Sequence, residues 1–151
     1  MLIYRIATCA YVTDLSGTGA RLYGGRWNEV GVPMVYFASS KPLAVLEVLV
    51  HIRPDQLQGD YCSACFDVPE NSIDTISMSD LSIDWKDSAR ALRLKYIGKY
   101  FIAEKKHLLM KVPSAIVEGE YNYLLNPLHP DALKVRLVEK KIFEFDNRLK
   151  E

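Results

Sequence analysis

Residues 41–51, Lys-Pro-Leu-Ala-Val-Leu-Glu-Val-Leu-Val-His, constrain this chain more than any other stretch. Leu43, Ala44, Val45, Leu46, Val48, Leu49 and Val50 leave a helix almost no polar face, and a helix that is apolar all round is buried. Ser39 and Ser40 offer N-caps, and Pro42 suits a first helical turn, where its missing N–H would have had no partner anyway. Glu47 sits inside that apolar surface. An unpaired buried carboxylate is expensive, so it must meet a cation or hydrogen-bond donors, or stay protonated. The segment upstream supplies candidates. Gly24-Gly25 predicts a loop with backbone freedom and room for a ligand, and Arg26 follows directly. Val32–Ala38 is a short apolar run with β-branched and aromatic residues, which predicts a buried strand carrying Tyr36. An Arg26–Glu47 pair held only for structure, and a carboxylate kept for chemistry, both satisfy this pattern.

The chain has 151 residues, enough for one core and too few for two ordinary domains, so 1–151 is expected to be a single domain. Nineteen basic and nineteen acidic residues cancel, which argues against a general nucleic-acid binder, whose footprint is a basic excess. No stretch approaches the roughly 20 apolar residues of a membrane span. Met1–Ile6 is too short and turns polar too early for a signal peptide, so a cytoplasmic protein is expected. Three cysteines, Cys9, Cys62 and Cys65, then predict reduced thiols. Cys62-Ser-Ala-Cys65 has the spacing of a redox or half-zinc motif. It lies in an alternating run, Tyr61–Val68, where a strand would put the two sulfurs on opposite faces. With no second pair to complete a zinc site, core cysteines and no metal are expected.

Leu2–Ala7 reads as a strand, with Arg5 at an edge facing water. Residues 8–25 form a long Gly/Ser/Thr-rich connection of a kind that is often functional or mobile. No glycine pattern follows a strand and opens a helix, so no Rossmann or P-loop fingerprint is present. Tyr61–Pro69 and Ser72–Ile76 read as extended. Ser88–Glu104 carries a helical pattern weakened at Gly98, with Arg90, Arg93, Lys95, Lys99, Lys105 and Lys106 forming a solvated basic face. Leu108–Val112 is a strand closed by Pro113 and resumed at Ile116-Val117. Between them, Ser114 is the kind of serine that usually bonds to backbone, and no Gly-x-Ser-x-Gly elbow surrounds it. Asn122, Asn126 and His129 either bind a ligand or fix turns; Asn126-Pro127 reads as turn chemistry, and His129 stays open. Leu133–Val138 and Lys141–Phe145 read as a hairpin turning at Glu139-Lys140. Six to eight strands with two main helices predict an α+β fold with mixed or antiparallel sheets.

Gly-Gly-Arg-Trp-Asn, a strand carrying Tyr36, Leu-Ala-Val-Leu-Glu, Val-Pro-Ser-Ala and Asn-Tyr-Leu-Leu-Asn-Pro-Leu-His-Pro occur here in that order. The set resembles the RES-domain toxins, the toxin halves of bacterial RES–Xre toxin–antitoxin pairs, from Tyr4-Arg5 to about Asp146–Arg148. The resemblance implies an ADP-ribosyltransferase-like fold and an enzyme that consumes NAD, releasing nicotinamide with water or phosphate as acceptor. Transfer of ADP-ribose to a cellular protein is the alternative, and a non-catalytic nucleotide- or partner-binding module is the reading from another class. By likeness, Arg26, Tyr36, Glu47 and Ser114 form the catalytic set, and Arg5 and Asn126 join Arg26 and Tyr36 in holding NAD, which suggests that Arg5 faces the pocket. The residue types suit that chemistry. A guanidinium neutralises a pyrophosphate, a phenol ring packs on a flat base, and a carboxylate bonds a ribose hydroxyl and stabilises positive charge developing on the sugar. The resemblance also implies a separate Xre-family antitoxin that plugs the cleft and makes any DNA contact itself. A homodimer within that complex is compatible with it.

Overall fold

The computed structural model describes residues 1–150; the side chain of Arg90, and with it that part of the expected basic face, lies outside the described residues. The strands are β1 (Leu2–Thr8), β2 (Val35–Ala38), β3 (Tyr61–Asp67), β4 (Ile73–Thr75), β5 (Leu109–Pro113), β6 (Tyr121–Leu125) and β7 (Arg136–Phe143), and the helices are α1 (Thr18–Tyr23), α2 (Lys41–Leu49) and α3 (Leu92–Glu104). All seven strands join one sheet in the order β4-β5-β6-β2-β1-β3-β7. Only β4 and β5 run parallel; every other pair is antiparallel. The fold is α+β, a single mixed sheet with few helices.

Strand alternation sorts side chains onto two faces. Tyr4 lies opposite Ala38, Ala38 opposite Asn122, Tyr36 opposite Leu124, and Met110 and Val112 opposite Leu124 and Asn122. These residues share the front face. Both long helices pack there. α2 covers the β1–β2 part, burying Leu43, Ala44 and Leu49 against Ile6 and Ala38. α3 covers the β5–β6 part, where Leu94, Phe101 and Ile102 meet Met110, Val112 and Leu124 together with Trp27 and Trp85. The strip of sheet between the two helices carries Tyr36 and Asn122, both half-buried. The rear face presents Ile3, Val35, Phe37, Ala64, Phe66, Tyr123 and Leu125, covered by Val12 and Leu108 from the loops.

Several expectations are corrected. Residues 8–25 are not all loop, because Thr18–Tyr23 forms α1 between two positive-φ glycines, Gly17 and Gly24. A Cβ on Gly17 would lie 2.7 Å from the Met34 nitrogen, so the chain turns tightly against the start of β2. That strand begins at Val35, not Val32. α2 is buried on the side that meets the sheet: Leu46, and Val50 at its C-cap, remain 40% and 54% exposed. Ile116-Val117 does not resume a strand and instead belongs to a turn after Ser114. The expected hairpin is one strand: β7 runs through Glu139-Lys140 along β3, with a register shift between Cys65 and Phe66. Glu139-Lys140 lacks the positive-φ residues of a two-residue hairpin turn. Leu133 falls in a short 3-10 segment, Pro130–Lys134.

The thiol expectation also fails. Cys9 and Cys62 are joined in a disulfide, and Cys65 is free and buried. The antiparallel register sets Ala7 opposite Cys62 and Cys9 beside Asp60, so the bridge joins Cys9 to a diagonal neighbour on β3, with the Cα atoms 4.7 Å apart. No helix among the described residues is long and apolar enough to cross a membrane.

Candidate active site

Glu47 reaches the strip from α2. The helix is set by its start: Ser40 accepts a hydrogen bond from the Leu43 N–H at 3.3 Å, and Pro42 occupies the first turn. With Leu43 and Ala44 turned to the sheet, Glu47 lies three and four residues on, at the edge of the same face. Its Oε1 accepts two hydrogen bonds, from Ser114 Oγ at 2.8 Å and from Asn122 Nδ2 at 2.6 Å. Oε2 has no hydrogen-bond partner among the described residues.

Ser114 is buried and its hydroxyl is fully engaged. Oγ accepts from the N–H groups of Ile116 and Val117, both at 3.1 Å, while its proton goes to Glu47. The hydroxyl therefore holds the turn after β5 and orients the carboxylate at the same time. Asn122, a ligand-or-turn candidate in the sequence, is brought into the site. The signal that could have singled it out is strand parity, which puts residue 122 on the same face as Tyr36 once β2 and β6 are paired. Its Oδ1 is buried and has no hydrogen-bond partner among the described residues.

Tyr36 and Asn122 are diagonal neighbours across the β2–β6 pair, a relation that spaces Cβ atoms by about 7–8 Å. The tyrosine ring and the Glu47 carboxylate thus border one strip. Tyr36 is held by its hydroxyl, which donates to Asn28 Oδ1 at 2.6 Å and accepts from the Trp27 N–H at 3.1 Å. Burial pushes its phenol well above the ordinary tyrosine value, so it stays neutral. Asn28 is itself fully buried, donating from Nδ2 to the carbonyls of Ala20, Glu29 and Val32.

The glycines in this region serve close approach. A Cβ on Gly25 would stand 2.7 Å from Tyr36 Oη, and one on Gly98 would stand 1.7 Å from the Trp27 carbonyl oxygen. Gly98 is the point where α3 lets the Gly-Gly-Arg-Trp-Asn segment lie against it.

Arg26 makes no ion pair with Glu47. Its Nη1 donates to the Lys86 carbonyl at 3.0 Å, and its guanidinium carbon stands 5.9 Å from the Trp85 ring centre. The carboxylate is held by two neutral donors and the guanidinium by a carbonyl and a ring. Neither charge is neutralised by the other. A purely structural Arg–Glu pair, one of the two readings open from the sequence, is therefore not what the structure contains.

The remaining candidates lie elsewhere. Arg5 alternates with Tyr4 and projects from the rear face, where Nη1 donates to the carbonyls of Tyr11, Val12 and Asp14 at 3.2, 3.3 and 2.8 Å. Burial lowers its pKa. Asn126 is fully buried; Nδ2 donates to the Phe101 and Ile102 carbonyls at the end of α3, and Oδ1 accepts from Leu128. It fastens helix to strand and is not brought into the strip. His129 caps the 3-10 segment after it, Nδ1 accepting from the Asp131 N–H. An open groove of about 390 Å³ beside α3, lined by Arg93, Tyr96, Tyr100 and Glu104 among others, contains none of the site residues. Among the described residues no three His, Cys, Asp or Glu side chains gather as a metal site would need.

The RES domain family matches residues 2–146. The chain belongs to the RES domain family. A toxin Res from Photorhabdus laumondii is 42% identical over 151 residues, covering 99% of this chain and 97% of that protein. A Prs ADP-ribosylating toxin from a Sphingobium species is 40% identical over 150 residues, covering 93% and 92%. A toxin Res from Pseudomonas putida is 37% identical over 154 residues, covering 99% of each. The chain is thus a toxin of the RES domain family, matched over residues 2–146. Its fold is similar to that in a crystal structure of the Mycobacterium tuberculosis MbcT–MbcA toxin–antitoxin complex, with a TM-score of 0.77, 20% identity, and coverage of 98% of this chain and 85% of that one.

Proposed function

We propose that this RES toxin cleaves the bond between nicotinamide and ribose in NAD, with water or phosphate as the acceptor. The observation that carries the reading is the Glu47 carboxyl group, held in place by Ser114 and Asn122 and not ion-paired with Arg26. A carboxylate that forms no ion pair among the described residues is suited to a substrate that develops positive charge. In this reading the pyrophosphate lies against Arg26, whose guanidinium is anchored at one nitrogen and keeps further donors for oxygens. The nicotinamide ring rests on Tyr36. Glu47 Oε2 accepts a hydrogen bond from a ribose hydroxyl. The C1′–N bond breaks with its electron pair moving to the ring nitrogen, so a neutral nicotinamide leaves without an acid. The cationic sugar is then attacked at C1′ by an oxygen of the acceptor, whose proton passes to solvent.

A second reading has the same site and a different acceptor, a cellular protein. It is favoured by the Sphingobium relative, whose name describes an ADP-ribosylating toxin. NAD is a substrate in both, and neither calls for a metal. The partner in either case is an antitoxin, in keeping with the toxin–antitoxin complex that shares the fold, and an Xre-type, DNA-binding one by the sequence resemblance. The exposed Leu46 and Val50 on the outer side of α2 offer an apolar surface close to Glu47 for it. Since NAD is an intracellular metabolite, the site of action is the cytoplasm.

Purified protein incubated with NAD, with and without phosphate, separates the readings by chromatography and mass spectrometry. Nicotinamide release in defined buffer supports cleavage to a small acceptor. Release only when lysate proteins are added, with an ADP-ribose increment on one of them, supports transfer. NAD binding with no release under either condition contradicts both and leaves a binding module.

A further inference from the structure

The Cys9–Cys62 disulfide closes a ring that contains most of the site. Arg26, Tyr36 and Glu47 all lie between its two ends, at a sequence separation of 53. The bond pins the start of the segment that leads to α1. Immediately beyond Cys9, Arg5 grips the carbonyls of Tyr11, Val12 and Asp14. Gly17 then packs against Pro33 and Met34, two residues before Tyr36. Lys140 of β7 adds a hydrogen bond to the Cys9 carbonyl. A continuous path of contacts therefore runs from the sulfur bridge to the tyrosine that borders the strip. Cys9 keeps partial exposure while Cys62 is only 3% exposed, so a small thiol has one approach.

We infer that Cys9–Cys62 is a thiol-exchange site, a reducible brace on the segment from Cys9 to Gly17 that a low-molecular-weight dithiol opens. In cells, disulfides that form in a reducing compartment are mostly transient and redox-sensing, whereas purely structural ones belong to oxidising compartments. The thiolate of the dithiol attacks Cys9 Sγ. The bond to Cys62 breaks, and its electron pair leaves on the Cys62 sulfur, which takes a proton from solvent. The second thiol of the reagent displaces Cys9, which also takes a proton, and the reagent is released as a cyclic disulfide. Two electrons pass to the protein and none are left over. Cys65, buried and free, takes no part. The sensing role rests on the cytoplasmic site of action above, but the exchange itself does not, and it is tested without reference to NAD.

The test holds the full chain in oxidised or reduced glutathione, or in dithiothreitol, then alkylates it after unfolding and counts modified cysteines by mass spectrometry. One modified cysteine is expected from the oxidised protein and three from the reduced protein. Melting of the two forms should differ by about 5–15 °C, because a cross-link over a ring of this size restricts the unfolded chain substantially. Cys9→Ser should melt with reduced wild type and ignore reductant. Cys65→Ser should keep the full redox shift, which separates the brace from general thiol effects. Three modified cysteines in oxidised glutathione, or superimposable melts with and without reductant, overturn the inference. Either result is independent of whether the protein turns over NAD.

Discussion

Ser114 Oγ and Glu47 Oε1 stand 2.8 Å apart, 67 residues distant in the chain. The serine spends its proton on the carboxylate and its lone pairs on the Ile116 and Val117 amides. That arrangement makes Ser114 a positioning residue in this account, not a nucleophile. Ser114→Ala removes the acceptor for two part-buried N–H groups, at about 1–3 kcal/mol for a buried group left unpaired. It also halves the donors on Oε1. Turnover should fall with little change in KM, and no ADP-ribosyl or phosphoribosyl adduct should be found on Ser114 by mass spectrometry of protein quenched during reaction.

Tyr36 is held neutral by burial, and this has a consequence for alkaline stability. Its folded pKa is raised, so the folded state retains a proton that the unfolded state gives up above about pH 10. Its contribution is therefore fully present below pH 10 and declines as pH rises beyond it toward the folded value. At pH 7, Tyr36→Phe should lose about 1–3 kcal/mol, since Asn28 Oδ1 and the Trp27 N–H both lose their partner. Denaturant melts at pH 7 and above pH 10 should show the gap between the two proteins narrowing at the higher pH.

Gly98 should tolerate no side chain. Gly98→Ala places a Cβ 1.7 Å from the Trp27 carbonyl, against backbone and not against a flexible side chain. Either α3 or the Arg26–Trp27 segment must move. Although alanine raises helix propensity, the substitution should destabilise by about 1–3 kcal/mol or more, read as a shift in the denaturant midpoint. NAD turnover should fall further than stability alone predicts, because Arg26 moves with Trp27.

Arg26→Lys tests the anion contact. Lysine keeps the charge but lacks the fork that bonds one carbonyl and still offers nitrogens to a phosphate. The expected effect is a rise in KM for NAD of about tenfold or more with the fold unchanged, measured by initial rates and by circular dichroism.

Much of this was legible before any coordinates. The anomaly of one carboxylate in an apolar helix, the glycines beside Arg26, and the strand carrying Tyr36 are local patterns, and local patterns survive into the fold. What was not legible depends on contacts between distant strands. Asn122 meets Glu47 across 75 residues, and Cys9 meets Cys62 only because β1 and β3 are neighbours. Arg5 is instructive in another way. Alternation places it on the opposite face from Tyr4, but which face holds the site is decided by where the helices pack. α1 is hidden in the sequence because Gly17, Gly19 and Gly24 mark a loop by composition. The same is true in reverse for β7, where charges at Glu139-Lys140 resemble a turn on a strand that is solvent-exposed along most of its length.

The central claim is that the unneutralised charge of Glu47 acts on the substrate. Glu47→Gln keeps the shape and an oxygen that can still accept from Ser114 and Asn122, so it isolates that charge. Initial rates of nicotinamide release should drop by about 10²-fold or more while the melting temperature stays within a few degrees of wild type. Turnover within a few-fold of wild type, in a variant of equal stability, would contradict the account.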